Sequence, residues 1–155
     1  MHIASVRIEN FRSFYDQTIL LNRYTCLVGP NGAGKSNVLT ALNVFFRESD
    51  NVATDLDKLD AEDFHKKNVE QPIRITVTFT DLSDQAKEDF QDYVRQGQLV
   101  MTAEARYDPE SGRSEVKQYG QRLGIEAFKP FFDALKQNRK VSELKDIYKD
   151  IREYY

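Results

Sequence analysis

One cysteine stands in 155 residues, and tryptophan is missing altogether. Cys26 alone makes no intrachain disulfide and supplies no zinc framework. Its place in the apolar run Tyr24–Val28 predicts a small buried hydrophobe rather than a redox group. There are two histidines, His2 and His65, so a metal site at His65 would need ligands of other types. No long apolar run exists. Met1 is followed closely by His2, Arg7, Glu9 and Arg12, and the expectation is a cytoplasmic protein with no membrane segment. Charge of one sign is not in excess: 22 Lys and Arg face 25 Asp and Glu, for a net charge of −3. That excludes a global basic field, so any contact with nucleic acid must use a local patch or another part of an assembly. Proline-rich linkers, repeats and low-complexity tracts are absent as well. With 40% hydrophobic and 30% charged residues, the composition is that of a globular chain with a real core.

Residues 29–36 carry the most specific signal. They read Gly29-Pro30-Asn31-Gly32-Ala33-Gly34-Lys35-Ser36, the pattern G-x-x-x-x-G-K-[ST] of a phosphate-binding loop. The glycines bring backbone N–H groups against phosphate oxygens without a Cβ in the way. Lys35 supplies a point charge for the β- and γ-phosphates, and the Ser36 hydroxyl is placed to ligate Mg²⁺. The N-terminus of a following helix adds its positive dipole end. A glycine-rich turn that merely joins a strand to a helix would explain the glycines. It would not explain the Lys and Ser that follow them. The expected ligands are ATP and Mg²⁺.

The context has the required order of strand, loop and helix. Tyr24–Val28 reads as a strand. In residues 37–46, Leu39, Leu42 and Phe46 fall at i, i+3 and i+7, with Val38 and Phe45 beside them, which is helical spacing. Upstream, residues 3–8 and 17–21 read as strands, with turns at Asn10-Phe11-Arg12-Ser13 and Asn22-Arg23. Residues 48–63 form an acidic surface loop with a helical turn. Ile73, Ile75, Val77 and Phe79 alternate with Arg74, Thr76, Thr78 and Thr80, a half-buried strand. Ser83 caps a helix carrying Ala86, Phe90, Tyr93 and Val94 on one face and closed by Gly97. Residues 99–106 and 114–119 flank the turn sequence Asp108-Pro109-Glu110-Ser111-Gly112, a hairpin. Two helices end the chain, one opened by Pro130 and one beginning near Ser142. The stripe of the second (Leu144, Ile147, Tyr148, Ile151, Tyr154) has no terminator before Tyr155. This predicts that the helix continues in a longer parent, or docks on a partner.

Ile8-Glu9-Asn10-Phe11-Arg12-Ser13-Phe14, followed within about twenty residues by the phosphate loop, resembles the opening of the ABC-type ATPase heads of RecF and SMC proteins and of OLD (overcoming lysogenization defect) nucleases. Gly29, Asn31, Gly32, Gly34, Lys35, Ser36 and Asn37 match their loop. Glu62-Asp63-Phe64-His65, the strand at 73–80 and Asp81-Leu82-Ser83 look most like the OLD branch. The resemblance covers residues 1 to roughly 105. It implies an α/β fold: a phosphate-loop ATPase core with a mostly antiparallel strand layer and C-terminal helices, part of a larger domain. Residues 1–47 would supply strands, loop and first helix. Residues 48–122 would supply the acidic loop, strand, helix and hairpin, and 123–155 the helical segment. The resemblance further implies that two heads close on sandwiched nucleotide and that ATP gates DNA cleavage by a nuclease domain, in some members against phage. Asn31, Gly32, Ala33, Gly34, Lys35 and Ser36 would wrap the phosphates, with Lys35 as the catalytic cation and Ser36 on the metal. Asn37 would lie in the first helical turn. Arg12 has two readings: the family arginine that approaches the nucleotide, or a surface guanidinium in a turn.

The departures are definite. No apolar run ending in Asp-Glu occurs, so the carboxylate that would position the attacking water is missing from these 155 residues. Leu82-Ser83-Asp84-Gln85 echoes the signature L-S-G-G-Q but lacks both glycines, and it reads as a helix cap. No acidic set typical of the nuclease domain follows. Residues near 60–65 could approach the Mg²⁺ or γ-phosphate region. Arg113, Lys117 and Arg122 lie among Glu110, Glu115 and Glu126, so a solvated face is favoured over a DNA-binding one. Two alternative functions stand beside the nuclease head. One is a RecF- or SMC-type repair ATPase. The other is a non-catalytic module in which nucleotide drives dimerisation through the C-terminal helices.

Overall fold

A computed structural model describes residues 1–46, 59–120, 129–137, 139 and 141–154. Residues 48–58 of the acidic loop expected at 48–63, as well as Arg122, Glu126 and Tyr155, lie outside them. The chain divides into two units, Met1–Gln121 and Arg122–Tyr155.

The first unit is built on an antiparallel sheet of six strands. They are β1 (His2–Phe11), β2 (Phe14–Leu20), β3 (Ile73–Thr80), β4 (Val94–Arg95), β5 (Gln98–Asp108) and β6 (Arg113–Gly120). The order is β2-β1-β3-β5, and β4 and β6 share the outer edge of β5. Helix α1 (Lys35–Phe46) follows the phosphate loop, and α2 (Asp84–Asp89) follows β3. This is the mixed α/β architecture with an antiparallel layer that the resemblance implies.

Register turns the period-two pattern into two distinct sheet faces. Val6 lies opposite Val77, Ile8 opposite Ile75, Ile75 opposite Ala103, and Phe79 opposite Leu99. All seven of these side chains are buried, and with Ile73 and Ala105 they form one apolar face. On the other face Arg7, Thr76 and Thr102 align, as do Glu9, Arg74 and Glu104. Arg7 makes a two-pronged bond to Asp16, 2.9 and 2.8 Å. Glu104 accepts from Arg74 at 2.8 Å, Arg106 at 2.7 Å and the Tyr119 hydroxyl at 3.2 Å.

One sequence expectation fails here, and packing decides a helix face that spacing leaves open. Residues 24–28 are not a strand: the segment pairs with none of the described strands, and only Leu27 among its side chains packs on the core, too little burial to seat it on a sheet edge. Tyr24 and Val28 are exposed, and so is Cys26, which is therefore no core residue. In α1 the buried stripe is Val38, Ala41, Val44 and Phe45, whereas Leu39 and Phe46 face outward. Ser36, Thr40 and Asn43 share one side of the helix, but its apolar residues span more than half of the circumference, so spacing alone leaves open which of them are innermost. Phe45 packs on Phe79 with ring centroids 6.1 Å apart, and the Gln118 side chain donates to the Phe45 carbonyl.

The other elements follow local chemistry. Ser83 Oγ accepts from the Ala86 N–H and caps α2 as expected. The helix stops at Asp89, short of Gly97, because Val94 joins the sheet opposite Leu99 around a Gln96-Gly97 turn in which both residues have positive φ. The hairpin of β5 and β6 forms around Asp108–Gly112, where the Asp108 carboxylate accepts from the Glu110 N–H. In the second unit α3 (Lys129–Lys136) and α4 (Val141–Tyr154) bury Ala134 and Ile151, and Phe131 meets Tyr148 edge-on at 6.1 Å. No helix among the described residues is long and apolar enough to cross a membrane.

The Glu104 cluster yields a pH prediction. Burial pushes this carboxyl up, but the bonds from Arg74 and Arg106 outweigh burial and hold it below the ordinary value of 4.5. A depressed carboxylate stabilises the fold fully above its unfolded value, and that contribution fades as pH falls through the folded one. Glu104→Gln should therefore lower stability by about 1 kcal/mol at neutral pH. The gap from the unsubstituted chain should shrink below pH 4.5 in denaturant titrations; a gap that stays constant with pH would contradict it.

Candidate phosphate-loop site

The loop Gly29–Lys35 leads straight into α1, whose first turn contains no acidic side chain. The first α1-type bond runs from the Val38 N–H to the Gly34 carbonyl at 3.2 Å. The N–H groups of Lys35, Ser36 and Asn37 therefore have no acceptor within the helix, and the positive dipole end is uncompensated by a neighbouring carboxylate. This arrangement suits an anion. Gly32 and Gly34 both have positive φ, 81° and 89°. The Lys35 ammonium crosses the loop and donates to the carbonyls of Gly29 (2.8 Å) and Pro30 (2.7 Å). It is thus held over the ring of backbone where phosphate charge would lie. Asn31, Gly32, Ala33 and Ser36 are exposed to an incoming ligand.

The loop is covered on one side by the turn between β1 and β2. A Cβ at Gly34 would meet Ser13 Oγ at 2.9 Å and the Phe14 ring at 3.2 Å, whereas one at Gly32 would meet nothing within 4 Å. Asn37, expected to serve the nucleotide from the first helical turn, donates from Nδ2 to Ser13 Oγ at 2.9 Å. Sequence reading did not single out Ser13 or Phe14 as part of the site. Their signal was membership of the opening Ile8–Phe14 that carries the family resemblance, which gave them no role at the loop.

Arg12 is neither isolated nor a simple surface guanidinium. Its Nε donates to Asp63 Oδ1 at 2.8 Å, and its backbone N–H to the Asp63 carbonyl at 2.8 Å. His65 Nδ1 lies 2.8 Å from the Arg12 carbonyl, so that nitrogen carries the proton. The buried Asn10 donates to the carbonyls of Asn68 (2.9 Å) and Gln71 (2.7 Å). Asn10 and Arg12 both sit at positive φ, 53° and 47°. That conformation costs on the order of 1 kcal/mol for each. Five hydrogen bonds at about 1 kcal/mol apiece outweigh it. The anchoring segment is itself ordered: Leu59 and Phe64 are buried in the core, and Asp60 and Asp63 form a reciprocal capping box around the short turn Ala61–Asp63.

Other candidates separate from this site. Lys117 pairs with Glu115 at 3.0 Å, as a solvated face would. Among the described residues no group of three His, Cys, Asp or Glu could hold a metal ion. A cation at this loop would rely on Ser36 and on phosphate oxygens, which fits the donor set of Mg²⁺.

The comparison with known sequences decides the family. An AAA ATPase domain profile matches residues 1–155. The chain belongs to this family of ATPase domains. It is 30% identical over 117 residues to the Old nuclease of Escherichia phage P2, a stretch covering 74% of this chain and 19% of that protein. It is 36% identical over 81 residues to the chromosome partition protein Smc of Gloeobacter violaceus (51% of this chain, 7% of that one). It is 41% identical over 49 residues to the structural maintenance of chromosomes protein 1B of Homo sapiens (30% of this chain, 4% of that one). The chain thus spans less than a fifth of each of these relatives.

The two positive-φ glycines provide a discriminating test. Gly32→Ala adds strain of about 1 kcal/mol in open space. Gly34→Ala adds the same strain and also drives a methyl into Ser13 and Phe14. Thermal melting together with nucleotide titration should show Gly34→Ala losing both more stability and more affinity; equal effects of the two variants would refute the packing described here.

Proposed function

We propose that this chain is the ATP–Mg²⁺-binding part of an ATPase head from an Old-type nuclease, in which ATP binding and hydrolysis by the parent protein gate DNA cleavage. The observation that carries the reading is the loop itself, with Lys35 drawn across the Gly29 and Pro30 carbonyls and the uncapped N–H groups of α1 beside it. Asn31 to Lys35 would wrap the phosphates, Ser36 would ligate the cation, and Arg12 would stand at the edge of the nucleotide. Phosphoryl transfer needs positioning and charge stabilisation more than covalent chemistry, and these residues supply both. Support for the Old-type branch comes from extent: that similarity runs over 117 residues, against 81 and 49 for the two SMC-type relatives. A role in defence against phage belongs to the same reading, as does assembly through paired heads in the cytoplasm.

A second reading has its own observation. Tyr24 and Val28, in the segment leading into the phosphate loop, and Leu39, in the first turns of the helix that follows it, are exposed. Apolar groups gathered there suit a nucleotide-dependent contact between heads. Sedimentation with and without ATP separates the two: dimerisation without turnover in the parent protein favours the contact module.

Without an Asp-Glu pair after an apolar strand, this chain should bind ATP–Mg²⁺ yet hydrolyse it negligibly by itself. Lys35→Ala should abolish the binding seen by titration calorimetry. Undiminished affinity in that variant would end the nucleotide assignment.

A further inference from the structure

The turn over the phosphate loop is held from a distant segment of the chain. Ser13 Oγ lies within 2.9 Å of where a Gly34 Cβ would be and takes a hydrogen bond from Asn37, which ties the turn to the loop. The next residue back, Arg12, is gripped at its N–H and Nε by Asp63 and at its carbonyl by His65. The Arg12–Asp63 pair is largely sheltered, with the Asp63 side chain 13% exposed, so solvent screens it less than a surface pair. His65 is steadied in turn by the Tyr15 ring, with centroids 5.9 Å apart. Phe11 and Phe64 form a backbone bridge alongside.

We propose that Asp63 and His65 are positioning residues that lock the Arg12–Ser13 turn onto the phosphate loop and thereby set its affinity for a nucleoside triphosphate. The proposal rests on the nucleotide reading above. Neither side chain need touch the ligand. Asp63 fixes the direction of the Arg12 guanidinium and the left-handed backbone beneath it. His65 closes the same turn from the carbonyl side. Releasing either lets Ser13 swing off Gly34 and Asn37, and the loop then loses the wall that holds its N–H groups in place. The segment 59–68 thus becomes a control point: whatever displaces it would loosen the nucleotide without entering the site.

The test is ATP–Mg²⁺ titration of the whole chain, with thermal melting of each variant and all titrations run well below the melting transition. Asp63→Ala removes the acceptor for Arg12 Nε, and His65→Phe removes the donor to the Arg12 carbonyl while keeping a ring against Tyr15. Each should weaken ATP binding by about five- to tenfold, the loss expected for one hydrogen bond. Asp63→Asn, which keeps an acceptor oxygen, should recover part of the loss. The pair Arg12→Ala and Asp63→Ala should be no worse together than the stronger single change, because both act through one turn. Folded variants that bind ATP like the unsubstituted chain would overturn the proposal. So would losses that multiply in the double variant. Failure of the unsubstituted chain to bind ATP, or binding unaffected by Lys35→Ala, would instead bring down the nucleotide reading, and this proposal with it.

Discussion

The missing side chain at residue 34 is the constraint on which the rest of the site depends. Because Gly34 carries no Cβ, the hydroxyl of Ser13 and the ring of Phe14 can press directly on the phosphate loop. That contact fuses three pieces of chain that are far apart in sequence. The loop brings Lys35 and the first turn of α1. The β1–β2 turn brings Arg12 and Ser13. The segment after residue 59 brings Asp63 and His65. Each piece alone would be a mobile surface element; together they make a wall, a floor and an anchor.

The sheet explains why these pieces meet where they do. β1 is the strand through which the site communicates with the core: its middle buries Val6 and Ile8, and its end delivers Asn10, Phe11 and Arg12 to the loop. Pairing on both edges holds it in register with β2 and β3. Residues 24–28 stay outside the sheet, with Tyr24, Cys26 and Val28 exposed in the segment that leads into the phosphate loop. The polar face of the sheet is crossed by Arg7, Arg74 and Glu104. Its charges are largely neutralised internally, which gives it little of the unpaired positive potential that binding a nucleic-acid backbone requires.

What could be read from sequence was whatever depends on neighbours along the chain. The period-two strand at 73–80, the Ser83 cap and the Asp108–Gly112 turn are all local patterns, and each is where its residues said it would be. What escaped was set by contacts across the chain. Val38, Ala41 and Phe45 lie inside α1 while Leu39 lies outside, and only the sheet beneath them decides that. The left-handed backbone at Asn10 is one that asparagine favours among non-glycine residues, but at Arg12 nothing in the residue type announces it. It is stabilised by Asp63, His65 and Asn68, more than fifty positions away. Arg12 was recognisable as a candidate; the partners that hold it were not.

The account stands or falls on whether nucleotide engages the loop and its wall as one body. Amide-resolved NMR during an ATP–Mg²⁺ titration measures this directly. The account predicts that the signals of Gly29–Asn37 shift together with those of Arg12, Ser13 and Asp63, along one binding curve, while the β5–β6 hairpin stays unchanged. Shifts confined to the hairpin, or loop signals that move while Arg12, Ser13 and Asp63 stay still, would contradict it.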